Sequence, residues 1–146
     1  MSRRPPPSRA DFRLFQPMPT RWHDNDAYGH VNNVVYYAWF DTAVNRFLID
    51  SGTLDIAASP AVGLVVETGC RYHAPVSYPE TVAIGLRVAH VGTSSVRYEL
   101  AVFRDGADEA AAEAHFVHVY VDRLTQRPVP IPEAARVAMR GIMVAE

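Results

Sequence analysis

The length, composition and charge of the chain limit what it can be. Its 146 residues suffice for one domain, and 49% apolar and 21% charged residues are typical of a globular protein. A formal net charge of −2 lacks the basic excess of nucleic-acid-binding proteins, so we expect no nucleic-acid partner. The single cysteine, Cys70, excludes an internal disulfide and a cysteine-based zinc site, and it favours a cytoplasmic location.

The first ten residues, MSRRPPPSRA, predict a disordered N-terminal tail, because consecutive prolines and arginines favour an extended, solvated chain. Basic residues with no apolar stretch after them do not predict a secretory signal. No apolar run approaches the ~20 residues that a membrane-spanning helix needs. We therefore expect a single domain over residues 11–146 and no membrane span.

A first strand and a long helix are predicted next. Residues 12–22, FRLFQPMPTRW, are apolar but contain Pro17 and Pro19, which predicts an irregular or peripheral strand. Residues 34–50, VVYYAWFDTAVNRFLID, place apolar side chains three and four residues apart and predict a helix buried on most sides. Asn32 is the predicted N-cap of this helix, and Gly52 is its predicted terminator.

Four runs with a period of two residues follow the helix and predict strands: GLVVETGCRYHAP, ETVAIGLRVAHV, SSVRYELAVFRD and EAHFVHVYVDR. The glycine-bearing turns HVGTSS and RDGADE join the last three as hairpins. Glu67 shares one strand face with Arg71 and His73, which predicts a solvated face or a subunit contact. His115 and His118 fall on opposite faces of the fourth run. The segment PEAARVAMRG predicts a short final helix.

This order of elements predicts an α+β fold. A doubly wound sheet would need a helix between most strands, so we expect a five-stranded antiparallel sheet wrapped around one long helix. A single sheet leaves that helix incompletely covered and leaves its own edge strands unpaired. Both features favour a dimer.

A polar stretch, TRWHDNDAYGHVNN at residues 20–33, connects the first strand to the long helix. One interpretation is a metal site, since His23, Asp24, Asp26 and His30 are all of ligand type. Their spacing matches no standard metal motif, and adjacent residues of a strand point to opposite faces. We expect no bound metal.

A second interpretation of the same stretch is a catalytic loop. If the helix starts near Asn32, the amides of Gly29, His30 and Val31 lie at its positive end and can stabilise an oxyanion. The Asp26 carboxylate, folded back beside them, would equip the loop to hydrolyse an activated acyl group. A third interpretation is that the polar side chains only cap the helix and close turns. Composition alone leaves the last two open.

The segment RWHDNDAYGHVNNVVYYAWFDTAVNRF resembles the N-terminal signature of hotdog-fold acyl-CoA thioesterases of the 4-hydroxybenzoyl-CoA thioesterase type. The matching residues are Trp22, Asp24, Asp26, Gly29 to Asn33, Tyr36 and Asp41. The later segments CRYHAPVSYPETV and HVGTSSVRYEL resemble the second to fourth strands of that family. The resemblance spans about residues 18–125 and implies the hotdog fold, with the element order expected from periodicity.

The resemblance also implies roles for individual residues. Asp26 matches the catalytic carboxylate, acting as nucleophile or general base, and the amides of Gly29, His30 and Val31 would polarise the thioester carbonyl. The side chains of His30 and Asn33 would orient water or the carboxylate. Asp41 stands where many relatives carry glutamate, and its place on the helix predicts a structural role.

Substrate contacts are the remaining implied roles. Tyr36 is a candidate to hydrogen-bond the substrate, although its place on the apolar helix stripe favours core packing. Ser95 serves the hairpin after Gly92, in a turn that the resemblance places near the acyl-carrier arm. Four arginines are candidates to bind the coenzyme A phosphates: Arg71, Arg87, Arg97 and Arg104.

We therefore expect a homodimer, or a dimer of dimers, that hydrolyses acyl-CoA thioesters. No metal or redox cofactor is expected, because coenzyme A is part of the substrate. Two alternatives stay open. The first is hydration of an enoyl thioester on the same fold, which also needs a carboxylate and an imidazole. The second is a non-catalytic acyl-CoA binding protein.

Overall fold

Within residues 4–144, which a computed structural model describes, five strands and two α-helices follow one another in the predicted order. They are β1 (Leu14–Pro19), α1 (Asn33–Asp50), β2 (Ala61–Tyr72), β3 (Thr81–Val91), β4 (Ser95–Phe103), β5 (Ala112–Asp122) and α2 (Glu133–Arg140). Residues 1–3 of the predicted tail and residues 145–146 of the predicted domain lie outside the described residues.

The described strands form one antiparallel sheet in the order β1-β3-β4-β5-β2. Strand β1 lies at one edge of the sheet, which confirms the prediction of a peripheral strand. Proline has no N–H to donate, and an edge strand tolerates Pro17 and Pro19 because its outer side has no neighbouring strand. Strand β2 forms the other edge. It is 12 residues long and has a register shift between Val65 and Glu67.

The core lies between α1 and the inner face of the sheet. Phe40 and Val44 of the helix are fully buried, as are Ile84 of β3 and Tyr98 of β4. Burial of side chains of this size contributes roughly 1.5–3 kcal/mol each. The helix is less enclosed than its sequence predicts, because Val34 in its first turn is 69% exposed. A sheet wrapped around one long helix is the architecture that the sequence implied.

Two glycines of β2 make room for two histidines of β5. A Cβ atom at Gly69 would lie 2.7 Å from Cε1 of His115, its cross-strand partner on the outer face. On the inner face, a Cβ atom at Gly63 would lie 3.0 Å from Nδ1 of His118. The two histidines thus point to opposite sides of the sheet, as their spacing predicted.

The end of the predicted tail is attached to the domain. The Ala110 amide donates to the Pro7 carbonyl (2.9 Å), and the Arg9 amide donates to the Asp108 carbonyl (3.1 Å). The Arg9 guanidinium lies 5.1 Å from the centre of the Phe103 ring. Pro7 and Arg9 of the predicted tail thus make tertiary contacts, which leave no trace in local composition.

Helix α2 packs against the β3–β4 turn. Met139 is fully buried, and the Arg136 guanidinium donates to the carbonyls of Gly92 (2.9 Å) and Thr93 (3.0 Å). None of the helices in residues 4–144 is both long enough and apolar enough to cross a membrane.

Candidate active site

The start of α1 is fixed by Asn32, as predicted. The Asn32 side-chain oxygen accepts a hydrogen bond from the Val34 amide (3.0 Å), and the Asn32 backbone is extended. The helix begins at Asn33, and the aligned peptide dipoles of its first turn create a partial positive charge beside the polar stretch.

Asp24 is a buried structural residue. Its side chain is 1% exposed and accepts two hydrogen bonds from the Arg21 guanidinium (2.8 and 3.0 Å) and one from the Arg21 amide (2.8 Å). Burial raises the pKa of Asp24, but the hydrogen bonds from Arg21 outweigh burial and hold this pKa below its ordinary value. The Asp24 carbonyl also accepts from the Asn32 amide (2.9 Å), so Asp24 ties the stretch to the helix cap.

Asp26 opens a tight turn that closes at His30. The Asp26 amide donates to the His30 carbonyl (2.9 Å), and the Gly29 amide donates to the Asp26 carbonyl (3.0 Å). Gly29 has φ of +81°, in the left-handed region that favours glycine. One carboxylate oxygen of Asp26, Oδ1, accepts from the Tyr28 amide (2.9 Å). The other oxygen, Oδ2, has no hydrogen-bond partner in the part of the chain that the structure describes.

The structure narrows the predicted oxyanion donors to one. The Gly29 amide is engaged inside the turn, and the Val31 amide donates to the Val76 carbonyl (2.7 Å). The amides of Gly29 and Val31, which were predicted to be oxyanion donors, are therefore not free to bind an oxyanion. The His30 amide has no acceptor among residues 4–144, and the exposed His30 side chain lies beside it.

The segment of residues 74–80, which precedes β3, holds the 26–30 turn in place. The Ser77 hydroxyl donates to the Gly29 carbonyl (3.0 Å), and the Tyr78 amide donates to the Asn25 side-chain oxygen (3.1 Å). The rings of Trp22 and Tyr78 meet edge to face, with centroids 5.9 Å apart. None of the residues of this segment is among the site residues predicted from the sequence.

A cavity of about 330 Å³ opens beside the start of α1. Tyr36 forms part of its wall, is 3% exposed, and has its ring 5.0 Å from the ring of Tyr72. Burial raises the pKa of Tyr36 to about 12, so its hydroxyl stays protonated at neutral pH. The Tyr72 hydroxyl donates to the Asn33 carbonyl (3.2 Å). The cavity is lined by His30, Val31, Asn33, Tyr36, Tyr72, His73, Ala74 and Pro75.

Four predicted site residues thus line this cavity, namely His30, Val31, Asn33 and Tyr36, whereas Asp26 and Gly29 do not line it. Tyr72 is a wall residue that the sequence analysis missed, although it is 44% exposed and aromatic. The sequence does not predict Tyr72 as a site residue, because the apolar alternation of β2 gives no indication of which end of the strand meets the helix.

Ser95 lies away from the other predicted site residues within the protomer. It begins β4 in the β3–β4 turn, where its carbonyl accepts from the Gly92 amide (2.7 Å). Val91 pairs with Val96 at this end of β3, whereas the 74–80 segment meets the other end. Within the protomer, Ser95 therefore lies apart from the 26–30 turn, and its role near the acyl-carrier arm stays a prediction.

Ion pairs already engage three of the four candidate phosphate-binding arginines. Arg87 and Arg97 both contact Glu99, at 2.8 and 3.3 Å, and Arg104 contacts Glu80 at 2.7 Å. Arg71 has no ion pair within the described range and lines a second cavity of about 690 Å³ on the outer sheet face. His115 also faces this side and lies 3.0 Å from Glu67. Across residues 4–144, no three His, Cys, Asp or Glu side chains are grouped to hold a metal ion.

A model of the thioesterase-like superfamily matches residues 20–139. The chain belongs to this superfamily. The crystal structure of the PA5185 protein from Pseudomonas aeruginosa strain PAO1 is 54% identical, covers 97% of this chain and 99% of that chain, and gives a TM-score of 0.94. No curated protein sequence matches significantly.

Two further solved structures are similar at lower identity. The BH1999 gentisyl-coenzyme A thioesterase is 26% identical, with 86% of this chain and 99% of that chain covered and a TM-score of 0.77. A thioesterase superfamily protein from Jannaschia sp. CCS1 is 26% identical, with 98% and 97% covered and a TM-score of 0.83. The predicted family resemblance and hotdog fold are confirmed, and the superfamily supports thioester hydrolysis as the class of reaction.

Proposed function

We propose that the protein hydrolyses acyl-CoA thioesters at the start of α1, with Asp26 as the catalytic carboxylate. One observation carries this proposal: a single turn places the Asp26 carboxylate at one end and the unengaged His30 amide at the other. The turn ends at His30, shortly before α1 begins at Asn33. A carboxylate beside an oxyanion donor is the equipment that acyl transfer to water requires.

The chemistry divides between these two groups. The thioester carbonyl oxygen accepts from the His30 amide, which stabilises the negative charge that develops on it. Acting as a general base, Asp26 Oδ2 takes a proton from water as the water oxygen bonds to the carbonyl carbon; the carbon–sulfur bond then breaks, and the departing thiolate takes up that proton. Acting as a nucleophile, Asp26 Oδ2 bonds to the carbonyl carbon and expels the thiolate, and water then hydrolyses the mixed anhydride, which restores the Asp26 carboxylate and supplies the proton of the thiol. The products are the free acid and the coenzyme A thiol, with no redox change and no metal or other cofactor involved.

The side chains around the cavity complete the proposed site. His30 and Asn33 would orient the attacking water, since both line the cavity at the helix start. The rings of Tyr36 and Tyr72 would contact the acyl group. Two tyrosine rings in the cavity wall suit a flat acyl group, and one similar protein is a gentisyl-coenzyme A thioesterase.

We propose further that the active form is a homodimer, or a dimer of such dimers. Strand β2 is an edge strand with a row of unpaired backbone groups, and it exposes Leu64 (41%), Val65 (44%) and Val66 (60%). Exposed apolar edge strands pair readily with a second copy.

The proposed cytoplasmic location rests on the single cysteine.

The test is an assay of thiol release from a panel of short, long, aromatic and 3-oxo acyl-CoAs. Asp26→Asn should lower the rate by ~100-fold or more, as expected for loss of a general base or nucleophile. Asparagine keeps an oxygen for the Tyr28 amide, so the turn should persist. Asp55→Asn is the matched control, because Asp55 Oδ1 accepts from the Ala57 amide (3.0 Å) in a similar turn elsewhere.

The outcomes separate the candidate functions. Thiol release by wild-type protein and Asp55→Asn, but not by Asp26→Asn, supports the proposal. Equal rates for wild type and Asp26→Asn would remove Asp26 from the mechanism. Water addition to an enoyl-CoA without thiol release would favour a hydratase, and tight binding without turnover would favour a binding protein.

A further inference from the structure

We infer that Ser77 is a positioning residue for the proposed thioesterase reaction, orienting the peptide unit that carries the His30 amide. The inference rests on the proposed function of the 26–30 turn. It adds a residue outside the signature segment, 48 positions along the chain from Gly29.

The geometry follows from the planarity of the peptide bond. The Gly29 carbonyl and the His30 N–H belong to one peptide unit and point in opposite directions in a trans peptide. The Ser77 hydroxyl donates to the Gly29 carbonyl (3.0 Å), which directs the His30 N–H away from Ser77. This N–H is the one predicted oxyanion donor without an acceptor among residues 4–144.

Without Ser77 this peptide unit would be poorly fixed. Gly29 has no side chain, has φ of +81°, and a Cβ atom there would meet nothing within 4 Å. Rotation of the peptide is therefore opposed mainly by the hydrogen bonds of its neighbours. Ser77 is itself held, because its amide donates to Glu80 Oε2 (2.8 Å) and Glu80 pairs with Arg104 at 2.7 Å.

A donor that is misaligned in the transition state lowers the rate of the chemical step without weakening ground-state binding. Ser77→Ala should therefore lower kcat by ~10-fold, less than outright loss of an oxyanion donor, while KM changes little. Ser77→Thr, which keeps the hydroxyl, should restore most of the rate.

Ser51→Ala is the matched control, since the Ser51 hydroxyl donates to the Leu48 carbonyl (3.1 Å) at the opposite end of α1. It should leave kcat and KM unchanged. An unchanged kcat for Ser77→Ala, in protein that loses activity through Asp26→Asn, would overturn the inference and leave the proposed function standing. A rise in KM together with a fall in stability, at an unchanged kcat, would indicate that Ser77 has only a structural role.

Failure of the proposed function is recognised separately, because wild-type protein would then release no thiol. In that case crystal structures of wild type and Ser77→Ala decide the matter. A Gly29–His30 peptide with the same orientation in both would contradict the inference, and a rotated peptide in the variant would support it.

Discussion

At the scale of single residues, Gly29 combines a conformational requirement with a place in the proposed site. Three glycines of the described chain have a positive φ, namely Gly29 (+81°), Gly52 (+74°) and Gly106 (+74°), and each has open space around its missing Cβ. Alanine at any of the three should cost about 1–2 kcal/mol of unfolding free energy, because the left-handed region is unfavourable for it.

The activities of these three variants should differ although their stabilities agree. Only Gly29→Ala alters the peptide that carries the His30 amide, so only this variant should lose thioesterase rate, by ~10-fold or more. Denaturant unfolding and the thiol-release assay measure the two properties. A comparable loss of rate in Gly52→Ala would show that the effect is one of general destabilisation.

The site could be predicted from sequence only where its contacts are local. The Asn32 cap and the position of Asp26 follow from residues within a few positions of each other. The Ser77 contact with Gly29 joins residues 48 positions apart, and the Tyr72 contact with Asn33 joins residues 39 apart. Hydrophobic periodicity specifies faces of elements and not which loops meet, so neither contact had a signal in the sequence.

At the scale of elements, β2 and β5 show what hydrophobic periodicity can and cannot predict. The period-two pattern correctly placed His115 and His118 on opposite faces of β5. The same pattern does not reveal that β2 is an edge strand. Leu64 and Val66 of β2 alternate like core residues but are exposed in the protomer. No local pattern predicts the contacts of residues 7–10, because hydrogen bonds to residues 108 and 110 depend on the folded sheet.

The exposed edge of β2 allows a test of the proposed dimer. Val66→Lys should lower the molar mass in solution from dimer toward monomer, since lysine on an edge strand opposes pairing between sheets. Val137→Lys on α2 is the control, because the exposures of Val66 and Val137 are 60% and 59%. Light scattering after size-exclusion chromatography gives the mass, and a monomeric wild type would contradict the proposed assembly.

At the scale of the whole molecule, stability should fall on mild acidification because of His118. This side chain is 2% exposed, and neither ring nitrogen has a hydrogen-bond partner among the described residues. Burial lowers the pKa of His118 to about 4, although the nearby Asp41 carboxylate opposes the shift. Tyr98 packs against the ring at a centroid distance of 5.3 Å and is itself buried.

The direction of this pH dependence follows from the pKa of His118 in the folded and unfolded chains. The unfolded chain takes up the proton near the ordinary histidine pKa of 6.5, whereas the folded protein takes it up only near 4. Folding free energy is therefore lost as pH falls from about 6.5 toward 4, by up to ~3 kcal/mol for this group. Denaturant titrations across this range should show a flatter pH dependence for His118→Leu than for wild type. His90→Gln, which changes an exposed histidine, should keep the wild-type dependence.

The fit between the glycines of β2 and the histidines of β5 has an evolutionary consequence. Because a Cβ atom at position 69 would lie 2.7 Å from Cε1 of His115, a larger residue there requires the His115 ring to shift or a smaller residue at 115. Among related sequences, a residue larger than glycine at 69 is expected together with a smaller residue at 115. The same pairwise covariation is expected, more weakly, between positions 63 and 118. Strands β2 and β5 should thus diversify as a matched pair, with the edge strand following changes in its neighbour.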